Sequence, residues 1–369
     1  MDFELPPEDD PRRLAVREWL EEHPEPSDEQ LAEAGYVAPH WPRPYGLDAD
    51  PIHQLVIDEE LRRAGVRRPQ NMIGIGWAGP TLLAAGTPEQ QARYLPRLLS
   101  AADIWCQLFS EPGAGSDLAS LATSAVRDGD EWVVNGQKIW TSMGHLARYG
   151  ILIARTDRDV PKHKGITYFV CPMEAEGIEV RPIIEMTGGH TFNEVFFTDV
   201  RVPAENLVGP LNGGWGVANG SLGHERTMMW LGFADRIHNV LGDFRPRTPL
   251  ERDQFASGVM DYHALRLMGS RGLAKAARGE TDVAGVSVVK LFGSEAELRL
   301  AEHALTAAGP DGLMHPAMSG PYAHMNLDHY FASWFERYAR SFSGTIAGGT
   351  SEIQRNIIAQ QVLGLPRGK

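Results

Sequence analysis

The apolar residues of this chain change their spacing twice, and that double change limits the architectures open to it. From about residue 10 to 105 they recur at helical intervals; within 52–64, Ile52, Leu55, Val56, Glu59 and Leu61 are spaced in an amphipathic pattern with acids and arginines outward. Thr87-Pro88-Glu89-Gln90 opens another helix, with Thr87 as N-cap, Pro88 at the first helical position and Gln90 at the capping-box position. From Ile104 to about Pro210, short β-rich runs alternate with turn signals. Asp128-Gly129 and Asn135-Gly136 predict two hairpin turns around Trp132-Val133-Val134, and further strands are expected at 149–154, 166–171, 178–184 and 194–198. Past Asn212-Gly213-Gly214 the helical spacing returns, over roughly 215–241, 250–277, 285–307 and 327–342, with a last helix from about Ser351 and a Pro/Gly-rich loop at 309–321. A chain of 369 residues is too long for one ordinary core. The expectation is an α+β protein in three parts: an N-terminal helical domain (1–105), a central β domain (106–212) and a C-terminal helical bundle (213–369).

Composition narrows the function classes. With 43% hydrophobic and 22% charged residues the chain reads as a soluble globular enzyme, and no apolar run approaches the length of a membrane helix. The net charge of −13 disfavours nucleic acid and anionic membranes as partners. It also means that an anionic ligand must be held by local donors rather than by the global field. Cys106 and Cys171 are the only cysteines, which excludes a disulfide framework and a Cys-based metal site. The 13 histidines show no metal-ligand spacing, so no metal is expected. The N-terminus lacks the basic and apolar regions of a secretory signal, and a reducing cytoplasm is the expected compartment.

Four stretches carry candidate chemistry. Gln107 to Asp117 reads QLFSEPGAGSD; its glycines let backbone approach a ligand, and its successive N–H groups can form an anion nest or an ordinary turn. Asn135 to Ser142 reads NGQKIWTS: Trp140 beside Thr141 and Ser142 suits a flat heteroaromatic ring, or equally a core Trp with hydroxyls outside. Ala347 to Arg355 reads AGGTSEIQR, where Thr350 or Ser351 can cap a helix whose N-terminus favours negative charge. Leu222 to Trp230 reads LGHERTMMW; Glu225 has Leu222, Met228 and Met229 as helical neighbours, and burial there would raise its pKa and make it a better base. The other reading is a solvated Glu225 paired with Arg226. Gly74 to Gly79 matches GxGxxG literally, but no strand precedes it and Pro80 follows, so it reads as a helix with small residues for close packing.

In this order, SEPGAGSD, NGQKIW and GGTSEIQR resemble the acyl-CoA dehydrogenase family, collinearly over nearly the whole chain. The resemblance implies a helical domain, a β domain and a C-terminal four-helix bundle, with FAD between the last two. It assigns Phe109, Ser110, Ser116, Trp140, Thr141, Ser142, Thr350 and Glu352 to the cofactor: Ser110 at the pyrimidine edge, Trp140 against the isoalloxazine ring, Ser142 near N5, Thr350 and Glu352 at the phosphate and ribose. It assigns Ser116, Arg226 and Met229 to the acyl-CoA substrate. Many members place the catalytic Glu directly before the Gly-Thr of the last motif, where this chain has Gly348; isovaleryl- and long-chain-type members carry it on the long helix before an Arg, as Glu225-Arg226 does here. Glu225 is therefore the expected base, with the Gly348 N–H polarising the thioester carbonyl. The family implies an electron-transferring flavoprotein as acceptor and a homotetramer or homodimer. Two family elements are not recognised: Arg-x-x-Phe-Gly, for which Phe244-Arg245-Pro246-Arg247 is a poor substitute, and the Gln/Gly-rich loop, replaced by Ala308-Gly309-Pro310-Asp311-Gly312. A flavin oxidase or monooxygenase of the same fold, and a non-catalytic subunit that completes a partner's flavin site, are the rival expectations.

Overall fold

A computed structural model describes residues 6–276, 278, 280, 283–313 and 333–366, and their side chains except those of 221–231, 273, 276 and 283. It divides into two compact units. The first is Met1–Arg181 with Glu194–Ser221, the second Pro182–Asn193 with Leu222–Lys369.

The first unit opens with α1 (Pro11–Glu22), α2 (Asp28–Glu33), α3 (Pro51–Arg63), α4 (Gly79–Ala85) and α5 (Pro88–Leu99). The capping box at Thr87 forms as its residues predict: the Gln90 N–H donates to Thr87 Oγ1 at 3.3 Å, and the Thr87 N–H to Gln90 Oε1 at 3.0 Å. The GxGxxG stretch is a turn of π-helix, Gly74–Ala78, running into α4. A Cβ on Gly79 would sit 2.0 Å from the Trp41 ring, so small residues serve packing here.

The strands are β1 (Trp105–Leu108), β2 (Ser124–Asp128), β3 (Glu131–Ser142), β4 (Tyr149–Arg155), β5 (Ile166–Pro172), β6 (Ile178–Pro182), β7 (Phe192–Pro203) and β8 (Leu207–Val208). They make one sheet in the order β6-β7-β3-β2-β4-β5-β8, with β1 parallel to β4. Residues 150–155 of β4 are all buried because both of its faces are covered. Ile151 and Ile153 point into a core shared with Val16, Ile57, Leu61, Leu95 and Leu98 of the helices. Leu152 and Ala154 point into the opposite core with Cys106, Phe169, Cys171, Val195 and Phe197.

Asp128-Gly129 turns as expected: Asp128 pairs with Glu131, and Gly129 takes φ 60°. Asn135-Gly136 does not turn. It lies inside β3, where the Asn135 side chain exchanges hydrogen bonds with Asp199 (Nδ2 to Oδ1 and Asp199 N to Oδ1, both 2.9 Å). The tertiary partner on β7 overrides the local turn signal. Gly136 has φ 150°, and a Cβ there would meet Thr123 Oγ1 at 2.4 Å and its Cα at 2.7 Å. Gly136→Ala should therefore lower the melting temperature, at a cost of about 1–3 kcal/mol. Calorimetry reads this directly, and an unchanged melt would mean that the strand relaxes freely here.

The helical unit contains most of α6 (Gly214–Asp243), then α7 (Pro249–Ala276), α8 (Val283–Ala308), α9 (Trp334–Ile346) and α10 (Ser351–Ile357). Phe233, Ile237, Val240, Leu265, Val289, Ala296 and Leu300 form its core. Arg236 Nε lies 2.7 Å from Glu297 Oε1, joining α6 to α8, and Arg337 Nη2 2.6 Å from Asp243 Oδ2, joining α9 to α6. The expected loop at 309–321 begins with a 3-10 turn, Gly309–Leu313; the remainder lies outside the described residues, as does the start of the helix expected over 327–342.

Candidate active site

Strand β1 delivers Phe109 and Ser110 into the Glu111–Asp117 turn, and the second half of β3 runs alongside it. The Ile139 N–H donates to the Ser110 carbonyl at 2.9 Å, so the two motifs far apart in sequence are in register. A buried ion pair fixes that register. Lys138 is fully buried; its Nζ lies 2.8 Å from Glu111 Oε1 and donates to the Phe109 carbonyl at 3.0 Å. Glu111 in turn accepts from the N–H groups of Ala122 (2.6 Å) and Thr123 (2.9 Å). Burial pulls the Lys138 ammonium down to about 8, against the upward pull of Glu111. Burial alone would raise the Glu111 carboxyl; the Lys138 charge and the hydrogen bonds outweigh it and hold it below the ordinary carboxylate range.

Beyond this pair β3 presents Trp140 at φ 60°, a conformation rare for a bulky residue, with the residue 57% exposed. Thr141 is fully buried and Ser142 half-buried. The Phe109 ring is buried in the core against Tyr168, so this residue can offer a ligand only its backbone. Ser116 is exposed, and no atom lies within 4 Å of where a Cβ would stand on Gly113 or Gly115, which leaves that backbone open to a ligand.

In the helical unit, Gly348 and Gly349 take φ 66° and 94° before α10. A Cβ on Gly349 would lie 2.7 Å from Gln354 Nε2, which donates to the Gly348 carbonyl at 3.0 Å. Thr350 caps α10, its Oγ1 accepting from the Ile353 N–H at 3.2 Å. Ser351 Oγ and Gln354 Oε1 are buried with no hydrogen-bond partner among the described residues. Glu352 is exposed, 3.2 Å from Arg355 Nη1. Glu225, Arg226 and Met229 lie on α6, but their side chains are outside the described residues. Among the described residues no group of His, Cys, Asp or Glu could hold a metal ion, and no helix is long and apolar enough to cross a membrane. Burial pushes the Cys171 thiol up to about 12 and raises Cys106 as well, so neither is a nucleophile.

Sequence reasoning passed over Lys138 and Glu111. The signal was present: the period of two along β3 places Lys138 on the buried face with Trp132 and Val134, where a lysine requires a buried acid.

Profiles described as the N-terminal, middle and C-terminal domains of acyl-CoA dehydrogenase match residues 10–102, 106–200 and 212–363. The chain belongs to the acyl-CoA dehydrogenase family. Acyl-CoA dehydrogenase FadE34 of Mycobacterium tuberculosis is 44% identical over 91% of this chain, which spans only 46% of that protein's length. Among solved structures, one titled Tcur3481-Tcur3483 steroid ACAD is similar with a TM-score of 0.80 and 30% identity over the whole of both chains. The ChsE4-ChsE5 complex from Mycobacterium tuberculosis is similar with a TM-score of 0.76 and 29% identity, again over the whole of both chains. Phe244-Arg245-Pro246-Arg247 lies in the connection between α6 and α7.

Proposed function

We propose that the chain is an FAD-dependent acyl-CoA dehydrogenase that converts a saturated acyl thioester to its α,β-unsaturated form. The observation that carries this is the registered pair of motifs at Ser110 and Trp140, which presents an exposed aromatic face beside buried and half-buried hydroxyls. These residues fit a flavin. In the first unit Trp140 offers the stacking face and Ser110 and Ser142 the edge contacts, with the fully buried Thr141 between Trp140 and Ser142 along β3. In the helical unit, by itself, Gly349 leaves space that a Cβ would fill beside Gln354, and Ser351 Oγ and Gln354 Oε1 are buried polar atoms that suit a phosphate or ribose. When bound, FAD supplies the acceptor for the β-hydride.

The chain's own residues do the rest. Glu225 is assigned the α-proton: the thioester's α C–H is weakly acidic, and its removal requires a base aimed at that carbon. The Gly348 N–H is assigned to the thioester carbonyl, where charge develops as the proton leaves; this role needs no side chain. Ser116, Arg226 and Met229 are assigned to the thioester arm and the acyl group. An electron-transferring flavoprotein is the proposed electron acceptor. The relative titled a steroid ACAD supports a bulky, ring-bearing acyl group for this chain.

A second reading concerns assembly. FadE34 is about twice as long as its match to this chain, and ChsE4-ChsE5 is a complex of two named components. Both support pairing of this chain with a second acyl-CoA dehydrogenase chain rather than with a copy of itself. The visible spectrum of the purified protein, before and after anaerobic addition of short, branched, aromatic and steroidal acyl-CoAs, tests both readings. The expected result is a flavin spectrum bleached by ring-bearing thioesters. Bound flavin that no thioester bleaches would overturn the dehydrogenase reading; colourless protein that turns yellow only with a second chain would establish the paired assembly.

A further inference from the structure

The Gly348-Gly349 turn is pinned by the helix that follows it. Gln354 is fully buried on α10, and its side-chain amide reaches back past the helix start: Nε2 donates to the Gly348 carbonyl at 3.0 Å and lies 3.5 Å from the Gly349 carbonyl. The helix does not need this contact as a cap. Thr350 Oγ1 already accepts from the Ile353 N–H, and the Gln354 backbone N–H donates to the Thr350 carbonyl at 2.9 Å. The amide can face only one way, since turning it over would set Oε1 against the Gly348 carbonyl oxygen. Gly349 is matched to it: at φ 94°, a Cβ there would stand 2.7 Å from Gln354 Nε2. On the other side of the turn, the Ala347 N–H donates to the Ser343 carbonyl at 2.8 Å. The peptide that carries the Gly348 N–H therefore lies between two anchored peptides. Gly348 itself is half-buried at φ 66°, and its N–H makes no hydrogen bond to the described residues.

We infer that Gln354 is a positioning residue, which holds the Gly348-Gly349 turn in the conformation that aims the Gly348 N–H at the thioester carbonyl. The inference rests on the acyl-thioester reading above and names what keeps its carbonyl contact in place. A donor aimed at developing charge lowers the barrier only if it is already in place, because reorienting it during the reaction would cost what the contact gains. Two glycines bring no rigidity of their own, since each adopts left- and right-handed backbone with similar ease. A turn made of them keeps one conformation through outside contacts, and the Gln354 amide supplies that contact at the turn's own carbonyls. Its buried Oε1, which has no partner among the described residues, is left to accept from a ligand hydroxyl.

The test compares the wild type with Gln354→Met, which keeps the length of the side chain and removes the donor. Flavin reduction by saturating acyl-CoA should fall about ten-fold or more with KM changed far less, since complete loss of an oxyanion donor costs about 10²–10³-fold. A second readout leaves hydride transfer out. A 3-thia-acyl-CoA has sulfur in place of the β-carbon, so it can lose its α-proton but offers no β-hydride, and its bound enolate shows as a long-wavelength absorption band. At a fixed pH the fraction ionised should fall about ten-fold in the variant. Gly349→Ala, whose Cβ displaces the Gln354 amide, should show the same pair of losses, and it carries the test if Gln354→Met does not fold. A variant that melts earlier but reduces its flavin and ionises the analogue as the wild type does would leave Gln354 a structural residue and overturn the inference. The outcome is separable from the reaction. A wild type that ionises the analogue but is reduced by no thioester, with variants that fail to ionise it, keeps the inference and discards the dehydrogenase reading; reduction that the variants fully retain does the reverse.

Discussion

Glu225→Gln is expected to leave flavin binding intact and to abolish bleaching by acyl-CoA. The amide has the shape of the carboxylate but cannot take a proton, and loss of a positioned general base costs about 10²–10⁴-fold in rate. Stopped-flow absorbance under anaerobic conditions, with flavin content measured on the same sample, separates a lost base from a lost cofactor. Gly348 has no side chain to deputise, so the sequence offers no second carboxylate at the position many relatives use. Reduction of the variant at the wild-type rate would remove Glu225 from the mechanism. Gly348→Glu on the Glu225→Gln background would restore part of the activity only if the two base positions aim at the same carbon.

The largest effect on stability should come from Lys138→Met. The substitution keeps the volume and leaves Glu111 buried without its counter-charge, a loss of about 3–5 kcal/mol that corresponds to a fall in melting temperature on the order of 5–10 °C. Glu111 also accepts two backbone N–H groups of the segment that follows the SEPGAGSD turn, so the disturbance should reach the proposed flavin face. Reduced flavin retention is the expected companion result. Adding Glu111→Gln to Lys138→Met should recover part of the stability, because the uncompensated charge is then gone while a carbonyl remains to accept a hydrogen bond. A single variant that melts with the wild type and keeps its flavin would show that the pair does not hold the two motifs in register.

Helix starts and stops were legible where the signal is local. The capping box at Thr87 and the Gly129 turn formed as read, because each rests on the few residues that compose it. The Asn135-Gly136 signal was equally strong locally and failed, because Asn135 is held across the sheet by Asp199, a residue 64 positions away. The family motifs were legible as strings, and their three-part order was enough to place the chain in its family. Their mutual arrangement was not legible. Nothing in QLFSEPGAGSD says that its Glu111 will meet Lys138, nor that the Ser110 carbonyl will accept from Ile139.

The sequence by itself therefore determined the alternation of helix, sheet and helix, the absence of a cysteine framework, and the family. These follow from hydrophobic period, turn chemistry and residue identity along the chain. Only the tertiary structure decided which polar groups share a dry interior, and that Trp140 stands exposed at a strained φ beyond a buried lysine. The physical reason is that burial and electrostatic pairing belong to neighbours in space. Strand pairing between residues tens of positions apart chooses those neighbours, and local sequence does not encode the choice.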